Sequence, residues 1–335
     1  MDTAQASPGG SPSGGNSSSD RRRLRSTLRQ LRTDARMTQE RVASEMDWSL
    51  SKVIRIETGA VIVSVNDVRG LLRLYGIADT ARSAQLIELA RLARLKPWWY
   101  AYRDHFTAGF QSYLDLEAGA SALKLHQAGC VPGLMQTERY ARAVNRATAP
   151  QPVPQDQLDL EIDVRMRRQR GVFGQEEPPA IVALLDEGCL RRTCGDRPAL
   201  RAQLAHLEQI ARRPNVTIQV VPFTAPVSAA TFGTFTLLEF RFPEDGRPGY
   251  GKLRDGRSGG GEPGNGRSGG GLPGDGEPVD PDGPALYVEG YQSVQSMRSA
   301  HPVVEAYGRL FERVRSAALG ERESLALIGR AAREA

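Results

Sequence analysis

Apolar residues recur at helical spacing through the first structured block of the chain. Leu24, Leu28 and Leu31 lie three to four apart, which predicts a helix over 22–35 with one inward stripe. Further on, Thr38 precedes Val42 and Ala43, Ser49 precedes Val53 and Ile56, and Ser64 precedes Val65, Val68, Leu71, Leu72 and Leu74. Each hydroxyl stands where it can accept from the free N–H groups of a helix start. The pattern therefore predicts helices over 38–46, 50–58 and 64–76, with Gly59 closing the third in a left-handed stop. Pro97 breaks the block. The following stretch reads as mostly helical to about residue 170, interrupted at 129–133 and at the proline-rich link 150–154. Short runs of apolar, β-branched or aromatic residues then predict strands at 181–185, 217–221, 234–240 and 285–289. Between the first two lies a helix over 196–212, with Leu200, Leu204, Leu207 and Ile210 on one face. Helices over 303–319 and 324–330 close the chain.

Two segments have no such pattern. Residues 1–20 are Ser, Gly and Pro with almost nothing to bury, and are expected to be a disordered tail. Residues 243–284 contain a near-duplicated decapeptide, GRSGGGEPGN then GRSGGGLPGD, and read as a flexible insertion between two strands. The expected organisation is thus an all-α domain over 21–96 followed by an α+β domain with a small sheet over 97–335.

Charge sharpens this division. Residues 1–96 hold 16 Lys and Arg against 10 Asp and Glu, a net of +6; the whole chain is +5, so the remainder sums to −1. A basic amino-terminal domain on a nearly neutral body points to one polyanion-binding end. No run of about 18 apolar residues exists, so no membrane partner is expected. The first residues lack the apolar stretch of a secretory signal. Three cysteines, Cys130, Cys189 and Cys194, are too few and irregular for a disulfide framework. The expected setting is a reducing cytoplasm, at the nucleoid when bound to DNA.

The third helix is where chemistry enters. Val53 and Ile56 face inward, while Ser51, Lys52 and Arg55 point away and Leu50 sits at the exposed amino end. Such a helix fits a DNA major groove, where Arg donates two bonds to guanine, Ser suits several base edges and Leu meets a thymine methyl. A protein-docking domain with a solvated basic face is the alternative from periodicity alone.

Residues 21–77 resemble the Cro/C1-type (XRE) helix-turn-helix family, which shares the lambda-repressor-like fold. The resemblance rests on Thr38-Gln39-x-x-Val42-Ala43 and on Ser49 through Val53, Ile56, Glu57 and Gly59. It implies that Gln39 touches a phosphate, that Ser49, Leu50, Ser51 and Arg55 lie at the DNA face, and that Lys52 meets phosphate or a flanking base. It also implies a structural ion pair between Arg32 and Glu57. The loop Ala60–Val63 departs from the family in lacking a basic residue, which leaves its backbone contacts to the Arg21–Arg25 cluster. Because one such domain touches few phosphates, a homodimer on a two-fold operator is expected.

The second domain offers little that reads as catalysis. His105, His126, His206 and His301 are scattered, and Cys189-x4-Cys194 lacks the second pair of a zinc site. Asp186, Glu187 and Glu289 fall at strand ends, where carboxylates are usually solvated or paired, here with Arg191 and Arg192. No cofactor, metal or enzymatic activity is expected. Trp98, Trp99, Tyr100, Tyr102 and Phe106 read either as packing at the domain seam or as a ligand cleft. Residues 97–330, through PWWYAY, VPGLMQTERYARAV, RMRRQR and LRAQLAHLEQIARRPNVTIQVVPF, resemble an antitoxin-like domain of actinobacterial regulators, the Scr1 group. That resemblance implies a transcription regulator with a small protein partner encoded nearby. The other function left open is an antitoxin-like protein that sequesters its partner and autoregulates its promoter.

Overall fold

The protein is seen here in a computed structural model that describes residues 17–77, 81–226, 233–240, 283–288, 295–298 and 302–335. Five helices build the amino-terminal domain: α1 (Ser17–Asp34), α2 (Gln39–Glu45), α3 (Leu50–Thr58), α4 (Val65–Leu74) and α5 (Ala81–Leu92). Leu24, Leu28 and Leu31 of α1 meet Val42, Val53, Ile56, Val68, Leu72 and Leu86 in one core. The start of α1 corrects an expectation. Ser17–Asp20, assigned to a disordered tail, form its first turn; Ser17 and Ser18 are buried, and Ser18 Oγ donates to Asp115 Oδ1 at 2.6 Å. A polar turn with no core of its own is ordered by a contact on the second domain. The remaining tail, 1–16, lies outside the described residues.

A 3₁₀ segment, Trp98–His105, leads into the second domain. Trp99 is buried with Leu114 and Ala118, Trp98 meets it edge-on at 5.5 Å, and Arg167 lies over the Trp98 ring. Trp98 and Trp99 therefore pack a core, whereas Tyr100 of the same segment is exposed. There follow α6 (Ala108–Ala118), β1 (Ala122–Gln127), α7 (Glu138–Thr148), α8 (Gln155–Phe173), β2 (Ala180–Asp186), α9 (Gly188–Arg191), α10 (Arg197–Ile210) and β3 (Val216–Val221). The order closes with β4 (Phe235–Glu239), β5 (Ala285–Val288), β6 (Gln295–Arg298), α11 (Pro302–Ala317) and α12 (Glu321–Glu334). The fold is the expected all-α domain followed by an α+β domain.

The described strands form one mixed sheet in the order β3-β2-β1-β4-β5-β6. β1 pairs parallel with β2 and antiparallel with β4, so it is the switch between a parallel and an antiparallel half. This central strand was expected to be helical. Its run ALKLHQ alternates Leu123 and Leu125 with Lys124 and His126, the period of a strand, but is too short to stand out within the helical stretch around it. The fold gives both polar residues a partner: Lys124 Nζ bonds Glu239 at 2.9 Å and Glu312 at 3.1 Å, and His126 Nδ1 lies 2.7 Å from Gly233 O. β6 was likewise unanticipated. Alternate residues of β2 face opposite ways, Ile181, Ala183 and Leu185 toward α10 and α12, Leu184 toward Phe311 and Val314 of α11. The outer edge of β3 is covered, since Val220 N donates to Ser324 Oγ and Leu319 N to Val220 O; a covered edge offers no template for further strand pairing.

One buried ion pair ties α6 to α8. Arg168 Nη2 donates to Glu117 Oε2 at 2.7 Å and to the Tyr113 hydroxyl at 3.1 Å. Burial pushes the Tyr113 phenol well above its ordinary pKa, with the Glu117 charge adding to the effect. The Gly-rich insertion expected over 243–284 lies, but for its last two residues, outside the described residues.

Candidate nucleic-acid interface

Helix α3 is fixed at both ends. Ser49 Oγ accepts from Lys52 N at 3.2 Å, and Gly59 takes φ 77°, a conformation in which a side chain is strained. Val53, Ile56 and Glu57 are buried, which leaves Leu50, Ser51, Ile54 and Arg55 exposed on the opposite side. Leu50 and Ile54 are 38% and 39% exposed. Ser51, Lys52 and Arg55 also line an open depression of about 370 Å³, whose far wall is Ile62 and Asp67.

Beneath α3 sits a charged brace. Arg32 Nε donates to Glu57 Oε1 at 2.6 Å and Arg32 Nη2 to Glu57 Oε2 at 3.1 Å, while Arg32 Nη1 donates to Met37 O at 2.8 Å. The carboxylate raises the Arg32 guanidinium above its ordinary pKa. Gln39 Nε2 donates to the same Glu57 at 2.7 Å. Gln39, expected at a phosphate, is thus held at the first residue of α2 by the brace that joins α1 to α3. Burial, with help from Glu57, pushes the nearby Tyr75 phenol up to about 12.

Two other expectations meet different geometry. Lys52, expected on phosphate or a flanking base, turns back: its Nζ pairs with Asp67 Oδ1 at 3.1 Å and lies 3.6 Å from the Trp48 ring centroid. The Arg21–Arg25 cluster, expected to replace the missing loop cations, is drawn mostly into the fold. Arg21 Nε donates to Ala93 O at 2.6 Å and its Nη2 to Leu95 O at 3.0 Å. Arg25 Nη1 donates to Thr58 O at 3.2 Å, and Arg22 stacks on the Phe240 ring at 3.5 Å. Arg23 is the exposed member. The reason is physical: the carbonyls ending α3 and α5 have no intrahelical donors, and guanidinium groups one turn apart on α1 reach them. Asp67 and Trp48 were absent from the expected site, and Arg25 was expected on the DNA backbone rather than on Thr58 O. Trp48, adjacent to the Ser49 cap, carried a weak signal; the Asp67 and Arg25 contacts are tertiary and carried none.

The second domain's candidate groups have structural partners. Asp186 Oδ1 accepts from Gly188 N at 2.7 Å, and Glu187 accepts from Phe223 N at 3.1 Å and pairs with Arg191. Arg192 reaches Ala128 O instead of a carboxylate. Glu289 and His301 lie outside the described residues. Burial pushes the Cys189 thiol up, and its Sγ contacts Gln127 O and Cys130 O, the setting of an inert thiol. Among the described residues no group of three His, Cys, Asp or Glu is placed to hold a metal ion, and no helix is long and apolar enough to cross a membrane.

Comparison with known proteins adds two matches. Residues 23–85 match a family model described as a helix-turn-helix domain, and residues 110–330 match one described as a domain of unknown function, DUF5753. No curated protein and no solved structure matches the chain. The first match covers the segment in which α3 presents its exposed face, the arrangement of a DNA-binding regulator. The second spans most of the chain, and on it the protein belongs to the DUF5753 family, here with a helix-turn-helix domain ahead of the family domain.

Proposed function

We propose that the protein is a cytoplasmic, sequence-specific transcription regulator of Cro/C1 (XRE) type that binds its operator as a homodimer. Its second domain binds a small protein partner or ligand that tunes occupancy. The observation that carries this reading is the exposed face of α3, with Ser51 and Arg55 outward on a helix capped at Ser49, stopped at Gly59 and braced by Arg32 and Glu57. In this reading Arg55 and Ser51 read base edges, Leu50 meets a thymine methyl, and Ser49 and Gln39 position the backbone. Lys52 contributes only once Asp67 releases it. No catalysis is proposed, because Asp186 and Glu187 serve a turn and an ion pair and the Cys189 thiol is buried.

The test is selection of bound duplexes from a random pool by the full chain, followed by Arg55→Ala and Ser51→Ala. The wild type is expected to enrich a two-fold motif. Loss of a bidentate Arg–guanine pair should cost about 1–3 kcal/mol and relax one position in each half-site. No enriched motif, or an unchanged motif with Arg55→Ala, refutes the proposal. The second reading is an antitoxin-like protein that sequesters a partner and autoregulates its own promoter. It prevails if promoter binding collapses in these variants while the physiological role survives.

A further inference from the structure

Helix α1 ends in a turn that glycine usually fills, and here Arg36 fills it. Arg36 N donates to Thr33 O at 2.9 Å and Met37 N to Arg32 O at 3.1 Å, the paired bonds of a Schellman stop. Met37 is buried in one core with Leu31, the apolar contact that accompanies such a stop. The stop puts its middle residue in the left-handed region, and Arg36 takes φ 52°. Asp47, between α2 and α3, shares that angle. Aspartate visits the region readily because its short side chain bonds locally; for arginine the conformation costs energy. No contact offsets that cost. Arg36 is exposed, and its guanidinium makes no hydrogen bond or ion pair among the described residues.

Its position supplies a reason. In a helix-turn-helix the helix ahead of the reading helix crosses the phosphate backbone. Arg36 stands just before α2, and the brace of Arg32, Gln39 and Glu57 holds this turn against α3, with Arg32 bonded to Met37 O. Two cations expected on the backbone are engaged elsewhere, Lys52 with Asp67 and Arg21 with the carbonyls of Ala93 and Leu95. We propose that Arg36 contacts an operator phosphate when α3 enters the groove, and that the strained turn is kept because it sets this cation beside the DNA strand. Such a contact adds affinity on every sequence and fixes register without reading a base. The inference rests on α3 being the DNA-reading helix.

The experiment uses the full chain and a duplex that it selects from a random pool, with binding measured over a range of salt. Arg36→Gly should weaken binding about eightfold at about 0.1 M salt and flatten the slope of log K against log salt by about 0.9, the counterion release of one phosphate. The same variant should raise the melting transition of the amino-terminal domain by about 2–6 °C, because glycine relieves the turn. Weaker binding by a more stable protein does not come from misfolding. Arg36→Lys should keep the slope, and Arg36→Gln should lose it with melting unchanged. The selected motif should stay the same in all three. A motif relaxed at one position would make Arg36 a base reader and overturn the phosphate contact. No rise in melting with Arg36→Gly would remove the strain and overturn the inference with it. A lowered melting transition in Arg36→Gln with affinity kept would assign the cation to the end of α1 instead. If the wild type selects no motif, the regulator reading fails; if it selects one and Arg36→Gly binds it with an unchanged slope, the phosphate contact alone fails.

Discussion

Replacing Glu57 by Ala should be among the most damaging single changes in the amino-terminal domain. The carboxylate accepts two bonds from Arg32 and one from Gln39, and the Glu57 and Arg32 side chains are 6% and 14% exposed. Its removal strands a guanidinium in a site too dry to solvate it. Breaking a buried pair from one side costs about 3–5 kcal/mol. Arg32 keeps its bond to Met37 O and some contact with water, which places the expected cost near the lower end, at about 3 kcal/mol. For a domain of this size that is a fall of about 12–24 °C in its melting transition. Urea unfolding followed by Trp48 fluorescence, alongside calorimetry, measures it in the full chain. Arg32→Met and the double variant Arg32→Met/Glu57→Ala complete a cycle. The double should be less destabilised than the summed singles by about 2 kcal/mol, because no orphaned charge remains. A cost below about 1 kcal/mol for Glu57→Ala, or strict additivity, would refute the brace as the element that holds α3 against α1.

Three further outcomes follow from the same structure. Asp67→Asn should free Lys52 for the DNA backbone, raising duplex affinity and steepening the slope of log K against log salt by about 0.9; an unchanged slope would show that Lys52 stays on Trp48. In the second domain Glu117→Ala should cost about 3–5 kcal/mol in urea unfolding by stranding the buried Arg168, and adding Arg168→Met should recover much of it; no recovery would contradict the pair's role. Stability should also fall as pH drops below about 6.5, because burial and then Arg213 hold the His206 imidazolium pKa below its ordinary value. The unfolded chain then takes up the proton first, so the stabilisation present at neutral pH is lost on acidification; melting curves from pH 7.5 to 5 should flatten in His206→Gln.

The helix-turn-helix was legible because its determinants are local. The caps at Thr38, Ser49 and Ser64, the spacing of Val53 and Ile56 and the stop at Gly59 each act within a turn of their own position. The same holds for strands β2 to β5, whose apolar β-branched runs need no distant partner to be recognised. β1 failed that test. Its alternation is too short to stand out within the helical stretch around it, and Lys124 and His126 gain their partners Glu239, Glu312 and Gly233 only from remote parts of the chain.

The arginine run shows the same divide within the candidate site. Composition and periodicity determined a basic amino-terminal domain and an outward Ser51 and Arg55 on α3. Only the tertiary structure decided where the other cations went: Lys52 onto Asp67 and Trp48, Arg21 and Arg25 onto helix-end carbonyls, Arg22 onto Phe240. A cation's charge is written in the sequence, but its partner depends on which unsatisfied acceptors the folded chain brings within reach.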